Sequence, residues 1–468
     1  MSFSTSLRLG VAAAALIGLS VSAAQAESLK AALTAAYANN PTITSAVYAV
    51  KVAAENIALR KAATRPIIGV GGSLSNEFAT APGGVVSKPS ATVGLNYQQT
   101  LFDNHKTDAD VEQARATVEV DNQALRSVEA TVLLNAVQSY MNVILNTQLV
   151  QLRGDTVKFY QSQVKASQDR QNIGEGTKID VAQAQASLAS GVAGEEAAVA
   201  ALQAAQASYV QWVGHKPRNL SSDYNYGTLI PSTVEQAMSL AARLNPDLLG
   251  AKATIRANKA LADAAADAFG PSVTASGSIG PGLSGSCTNF SCGASTATAL
   301  TGQMTLSMSL PIYSGGALGA TQRQADLTAV KSGLDAASAL AQVDEQVVTA
   351  WSTLQNAAAQ ITSANSGVQA GQLALSGIVQ ERDVGQKTTL DVLNQEAMLE
   401  TTQEALITAN ANKVVAAFSL IGQTGRLSSR DLGLGTRTKS AQGYIEAVED
   451  TWEELPSIEP MPRPSWRH

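Results

Sequence analysis

The decapeptide Asn172-Ile173-Gly174-Glu175-Gly176-Thr177-Lys178-Ile179-Asp180-Val181 returns 211 residues later as Asp383-Val384-Gly385-Gln386-Lys387-Thr388-Thr389-Leu390-Asp391-Val392. The chain is a tandem duplication, so whatever one half folds into, the other must repeat. In each half the decapeptide interrupts two long Ala-rich, Gly-poor segments. A glycine followed by Thr-x-x-Asp has a mechanical meaning. Gly174 and Gly385 are suited to end the incoming helix in the left-handed conformation. Thr177 and Thr388 then cap the next helix, with Asp180 and Asp391 at the capping-box position. Each half is expected to hold a helical hairpin with this turn at its tip.

Charged residues make up 15% and aromatics 4% of the 468 residues. Ala, Ser, Gln, Thr and Gly take their place, which suits closely packed helices with modest side chains. The net charge of -6 argues against a nucleic-acid partner, which would want a basic face. No Ser, His and acid cluster or Glu pair stands near a pocket-forming loop, so no catalytic residue and no enzyme is expected. No cofactor is expected either.

Residues 1–26 read as a secretory signal: Arg8, an apolar run from Leu9 to Val21, then Ala24-Gln25-Ala26 before Glu27, with cleavage expected after Ala26. A membrane-anchoring helix needs about 20 apolar residues, and no other stretch is expected to qualify. There is no Cys near the cleavage site to carry a lipid. The two cysteines, Cys287 and Cys292, lie five apart in a Gly/Ser-rich segment. A local disulfide is the expectation for an exported chain, against two free thiols. A zinc site wants four ligands, and His105, His215 and His468 are scattered, so no metal is expected.

Between Glu27 and Arg65, Leu29, Leu33, Ala36, Val47, Val50, Ala54 and Ile57 recur at helical spacing, predicting one helix with a wrinkle at Pro41. After Pro66 the period becomes 2. Ile68, Val70, Leu74 and Phe78 alternate with Gly69, Gly71, Ser73, Ser75 and Glu77, and past Pro82-Gly83-Gly84 the alternation resumes in Val93, Leu95 and Tyr97. This predicts a hairpin over 67–101 with strands about 10 residues long. The second half repeats it over 272–311, with Asn245-Pro246 and Gly270-Pro271 answering Asn40-Pro41 and Arg65-Pro66. Its extra residues fall at the hairpin tip, where Cys287 and Cys292 sit and insertions are tolerated.

Strands with one apolar and one small or polar face fit a transmembrane β-barrel, although a half-buried soluble sheet alternates too. Four strands are fewer than the eight that close the smallest barrels, so other copies of the chain must complete the ring. Two chains give eight strands and three give twelve. Long helices are expected from Phe102 to Ile173 and from Tyr313 to Val384, with Gly154 and Gly367 to Gly371 as candidate bends. The shorter helical segments, 27–65 with 180–213 and 232–270 with 391–421, pair to about the same length. Two short helices end to end therefore match one long helix, and the protomer should be a rod. Residues 214–231 and those after Gly422 should form a belt near mid-length. Tyr140, Trp212 and Trp351 are expected to pack within the helical wall. The tail is acidic from about Glu446, then Pro-rich, and its last dozen residues are expected to be flexible. The expected organisation is thus a signal (1–26), repeat one (27–213), a linker (214–231), repeat two (232–422), and a final segment with the tail (423–468).

With the signal segment, the duplicated strand-hairpin-helix plan and the Val/Ile-Gly-x5-Asp-Val turns, residues 27–425 resemble the TolC family of outer-membrane efflux proteins. The resemblance implies an α+β membrane protein. In it a trimer joins twelve strands into one outer-membrane β-barrel and helical hairpins into a periplasmic α-barrel. It implies a Gram-negative outer-membrane location. It implies a passive exit duct for drugs or secreted proteins, recruited by a periplasmic adaptor and an inner-membrane pump, without catalysis. In the closest family pattern the second tip reads Tyr-x-Val-Gly-x-Arg-x-x-x-Asp-Val-x-Asp, and two aspartate rings narrow the entrance. Here Asp391 keeps the first aspartate, Asn394 stands at the second, Lys387 replaces the arginine, and Arg382 stands where the tyrosine locks the first tip. One charge ring is then lost, and the expected lock is an ion pair from Arg382 to Asp180 or Glu175. Spacing alone leaves Asp180 and Asp391 as helix caps; the resemblance adds a gate role. The rival is a periplasmic or surface coiled-coil scaffold that transports nothing. It predicts sustained Leu/Ile heptads with charged flanks, which the Ala-rich columns do not supply.

Overall fold

The computed structural model describes residues 26–82, 84–222, 224, 226–288, 291–452 and 454, without the side chains of 81, 284–286, 288 and 291–299. The signal segment, apart from residue 26, and the Pro-rich end of the tail lie outside the described residues. Two helices, α1 (Leu29–Asn39) and α2 (Pro41–Lys61), lead to strands β1 (Ile67–Ala81) and β2 (Gly84–Phe102). Then come α3 (Lys106–Asn172) and α4 (Lys178–Val213). The second half repeats this as α5 (Val234–Leu244), α6 (Pro246–Asp267), β3 (Ser272–Thr288), β4 (Ser291–Ser309), α7 (Ala317–Asp383) and α8 (Thr389–Gln423). A short α9 (Gln442–Val448) follows.

The single helix expected over 27–65 is two. Asn40 is extended (φ -68°, ψ 124°) and its Oδ1 accepts from Thr42 N at 2.8 Å, capping α2 with Pro41 in its first turn. Asn245 does the same for α6, accepting from Asp247 N at 2.9 Å. A residue before proline is pushed out of the helical region, so the Asn-Pro pair ends one helix and starts the next. The candidate bends do not interrupt the long helices: α3 and α7 each run 67 residues, about 100 Å at 1.5 Å per residue. Glycines there and on their partners serve close approach instead. A Cβ on Gly191 of α4 would lie 2.9 Å from the Tyr160 ring of α3, and one on Gly371 of α7 would lie 3.1 Å from Leu399 of α8.

The strands enter the helices through paired left-handed turns. Gly315 and Gly316 have φ of 62° and 83°, and Asn104 and His105 hold the same places in the first half at 57° and 69°. Along the rod, α2 lies beside one end of α3 and α4 beside the other. In the second half α6 and α8 flank α7 likewise, while α3 also touches α6 and α8. Two short helices therefore do match one long one. Where they meet, Tyr37, Tyr140 and Tyr209 are fully buried. The Tyr140 hydroxyl donates to the carbonyls of Glu27 (2.8 Å) and Ser221 (2.7 Å), and Tyr209 donates to Glu27 Oε1 at 2.7 Å. Burial raises both phenols above the usual tyrosine range, so they stay neutral donors. Trp212 and Trp351 are half-buried against the helical core. By length and composition α8 does qualify as a membrane helix. Its apolar row, Ala409, Val414, Ala417, Phe418 and Ile421, is buried in the core instead.

The four strands form one antiparallel sheet in the order β1-β2-β3-β4. They run 15 to 19 residues, longer than expected, because backbone pairing continues to the tips, as far as Ala81 opposite Gly84 and Thr288 opposite Ser291. The register puts Val70 beside Leu95, Leu95 beside Ile279, Ala275 beside Leu306 and Val273 beside Met308. One face is thus a continuous apolar row, exposed at Ile68, Val70, Leu74, Phe78, Val93, Leu300, Met304, Leu306 and Met308. The opposite face carries Gly69, Asn96, Gln98, Ser276, Ser278, Gln303 and Thr305 around a polar hollow. At the sheet's centre the β2 and β3 backbones approach closely: a Cβ on Gly280 would fall 2.1 Å from Val93 O and 2.4 Å from Gly94 Cα. Glycines at such points let a sheet curve. At the tip, Cys287 is buried and disulfide-bonded, and it faces Cys292 across the β3–β4 register.

Gly280→Val should pry β2 from β3, at about 1–3 kcal/mol for overpacking. Gly69→Val, whose Cβ meets nothing within 4 Å, should be silent. Thermal melts followed by β-sheet circular dichroism in detergent check this, and equal midpoints for the two variants would refute the curvature argument.

Candidate functional site: the two hairpin tips

Both tips are built the same way from their sequences. Gly174 (φ 82°) and Gly385 (φ 78°) follow the last residues of α3 and α7. No atom lies within 4 Å of where their Cβ atoms would be, so the backbone conformation rather than space demands glycine. In the first tip Gly174 N donates to Gln171 O at 3.1 Å and Glu175 N to Arg170 O at 2.9 Å; in the second, Gly385 N donates to Arg382 O at 2.9 Å and Gln386 N to Glu381 O at 2.8 Å. This is a Schellman stop that satisfies the last carbonyls.

The restart is a capping box in each case. Asp180 N donates to Thr177 Oγ1 at 3.1 Å, and Asp180 Oδ2 accepts from Thr177 N at 2.9 Å and from its hydroxyl at 2.6 Å. Asp391 N donates to Thr388 Oγ1 at 3.2 Å, and Asp391 Oδ2 accepts from Thr388 N at 2.9 Å and from its hydroxyl at 2.8 Å. These bonds favour the ionised carboxylates. The Thr177 hydroxyl and then its amide lower Asp180 below the usual range, with Arg170 adding a little. The Thr388 amide and then its hydroxyl lower Asp391, with Lys387 adding a little. Lys387 and Asn394 are exposed beside this turn, and Val181 and Val392 are buried behind the two caps.

Arg382 does not form the expected ion pair with Asp180 or Glu175. Its Nη1 donates to Gln163 Oε1 of α3 at 2.6 Å, and Nε and Nη2 hold Asp383 Oδ1 at 3.0 and 2.7 Å. Along this stretch α8 packs on both α7 and α3, and Gln163 of α3 lies within reach of Arg382 at the end of α7. Arg382 therefore meets the flank of α3 before it can reach the first tip. It still joins the two hairpins, through an uncharged partner.

Other inter-hairpin ties were not legible in sequence. Arg170 Nη2 donates to Thr389 Oγ1 at 3.1 Å, at the first turn of α8. Farther up, Arg153 of α3 pairs with Glu400 at 2.5 Å and with Glu404, both on α8. Tyr160, Ala184 and Leu393 pack together between α3, α4 and α8. Burial raises the Glu400 and Glu396 carboxyls above the usual range, opposed at Glu400 by Arg153. The only signal was Glu396, Glu400 and Glu404 at four-residue spacing. That places them on one helix face but cannot name a partner 247 residues away.

Among the described residues no group of three or more His, Cys, Asp or Glu is arranged to hold a metal. The outermost strands, β1 and β4, are each paired on one side only. The site is thus two exposed, rigidly capped turns at one end of the helical rod, opposite an apolar-faced sheet with two open edges.

Comparison with known proteins agrees with this plan. A family model described as outer membrane efflux protein matches residues 32–215 and again 237–426, one match per half. The outer membrane efflux protein BepC of Brucella suis is 33% identical over 94% of this chain and 95% of its own. The outer membrane protein TolC of Escherichia coli is 25% identical over 89% of this chain and 87% of its own. In fold, the crystal structure of VceC from Vibrio cholerae superposes with a TM-score of 0.70 at 20% identity, covering 85% of this chain and 96% of that one. The chain belongs to the outer membrane efflux protein family and is an outer-membrane protein with a long periplasmic helical extension.

Proposed function

We propose that three copies of this chain form the outer-membrane exit duct of a tripartite efflux or type I secretion system. It is a passive channel-tunnel engaged by a periplasmic adaptor and an inner-membrane pump, with no chemical step of its own. The observation that carries the reading is the sheet: four strands, one apolar face, one small polar face and two unpaired outer edges. Unpaired backbone groups cost several kcal/mol each in hydrocarbon, so the edges must join other copies. The polar, uncharged lining of the hollow suits a wide water-filled lumen. Native mass spectrometry of the detergent-extracted protein should give about three times the chain mass. A stable monomer would sink the reading.

In this duct the tips are the periplasmic entrance. Asp391, with Lys387 and Asn394 beside it, lines the narrowest point at the three-fold axis, and Arg382 clasps α7 to α3 by holding Gln163. Asp180 in the first tip chiefly shapes its turn. Three carboxylates around one aqueous opening attract cations. In planar bilayers the duct should be cation-selective and blocked from the periplasmic side by multivalent cations. Asp391→Ala should weaken that block at least several-fold, while Asp180→Ala should leave it nearly unchanged. Both Arg382→Ala and Gln163→Ala should raise resting conductance. An unchanged block in Asp391→Ala would reduce this aspartate to a helix cap.

The caps also carry a pH dependence of known sign. Asp180 and Asp391 titrate below their ordinary range when folded. Their contribution is therefore present above the ordinary carboxylate pKa and lost as pH falls through the depressed value. Hydrogen exchange at residues 177–181 and 388–392, corrected for intrinsic rates, should stay slow at neutral pH and accelerate only in acid. Asn at either aspartate should remove that pH dependence at its own tip alone.

A further inference from the structure

The C-terminal segment does not stay at mid-rod. After α8 ends, the chain climbs the outside of α1 and α2 in strict order. Leu434 O accepts from Thr34 Oγ1 at 3.4 Å. Next, Lys439 N donates to the Tyr37 hydroxyl at 2.6 Å and Lys439 Nζ to Thr44 Oγ1 at 3.1 Å. From α9, the Tyr444 hydroxyl donates to Glu55 Oε1 at 2.5 Å, while Ile445 and Val448 are buried beneath. At the top, Glu449 holds Lys61 Nζ at 3.2 Å and Arg115 Nη2 at 2.6 Å, and Asp450 holds Lys61 Nζ at 2.7 Å. Finally Arg65 Nη1 donates to Thr451 O at 2.5 Å, and the Arg65 guanidinium stacks on the Trp452 ring at 4.6 Å from its centroid.

This strap delivers Trp452 to the foot of the sheet, because Arg65 lies two residues before β1 begins at Ile67. Trp452 is 68% exposed although its partners are fixed, and Ile67 and Ile68, which open β1, are exposed to a similar degree. Below Trp452 the strap is tied down by the ion pairs at Lys61 and Arg115; above it the apolar row of the sheet starts at Ile68. A half-wet indole on a cation at that boundary matches the chemistry of a membrane–water interface, where tryptophan sits at headgroup level and arginine meets phosphate. Arg65 keeps donors beyond the one given to Thr451.

We propose that Trp452 and Arg65 form an interfacial anchor, in which the C-terminal strap seats the foot of the barrel in the phospholipid headgroup layer of the periplasmic leaflet. The strap then acts as a membrane-binding element supplied from outside the sheet, fixing how deeply the barrel sits. The inference rests on the barrel reading for where the membrane lies.

The experiment uses full-length protein carrying Trp466→Phe, reconstituted in phospholipid bilayers brominated either near the headgroup or deep in the acyl chains. Trp452→Phe in the same background identifies the Trp452 signal, with Trp212 and Trp351 as the constant remainder. Leu74→Trp, on the apolar face, reports the barrel. The expected result is that Leu74→Trp is quenched in both lipids, and that Trp452 is quenched more by shallow than by deep bromine. That quenching should be lost in Trp452→Phe and reduced in Arg65→Ala. If Leu74→Trp is quenched but Trp452 is not, the anchor is overturned while the barrel stands; acrylamide access would then show a solvated ring, and shielding from acrylamide a contact with a neighbouring subunit. If Leu74→Trp is not quenched either, the barrel reading and the anchor fall together.

Discussion

Backbone hydrogen bonds that cannot be made within one chain set the terms for this molecule. The outer edges of β1 and β4 have no partner in the four-stranded sheet. Water could satisfy them, but the apolar row from Ile68 to Phe78 and from Leu300 to Met308 places the same strands against lipid, which cannot. The duplicated architecture answers that constraint. Each half contributes one hairpin to the sheet and one helical hairpin below it, so closing the strands into a ring also closes the helices into a wall.

The helical wall is held by a different balance. Its core is mostly Ala and Val, with Tyr37, Tyr140, Tyr209 and Phe418 among the bulkier side chains, so most contacts bury little area and close approach matters more than side-chain size. Glycines at 191 and 371 let helices come together where a methyl group would press on a neighbour. The polar ties are few and sit between hairpins: Arg153 with Glu400 and Glu404, Arg170 with Thr389, Arg382 with Gln163. In each a partly exposed arginine meets a buried side chain, Glu400, Thr389 or Gln163. Such ties suit contacts that hold one arrangement without making another unreachable. The capped turns are rigid units beneath them, because each satisfies its helix ends from its own residues.

Much of this was legible in one dimension. The repeat, the turns at Gly174 and Gly385, the capping boxes at Thr177 and Thr388, and the switch from helical to alternating period all depend on residues within a few positions of one another. Their physics is local: a left-handed glycine, a hydroxyl reaching three residues on, a pleat that turns every second side chain outward. Where local reading erred, a neighbouring residue supplied the reason. Asn40 and Asn245, coupled to proline, split what periodicity joined, and strand pairing ran past the point where alternation faded.

The sequence by itself determined the elements, their order, their duplication and the chemical character of each face. Tertiary structure alone decided which flank of α3 Arg382 meets, that Arg153 finds glutamates on α8, and that the acidic tail becomes a strap ending at Lys61, Arg65 and Arg115. Those contacts join residues hundreds of positions apart. Whether they form depends on how long rods lie beside one another, and a shift of one helical turn, about 5.4 Å, would exchange every partner without changing any local signal.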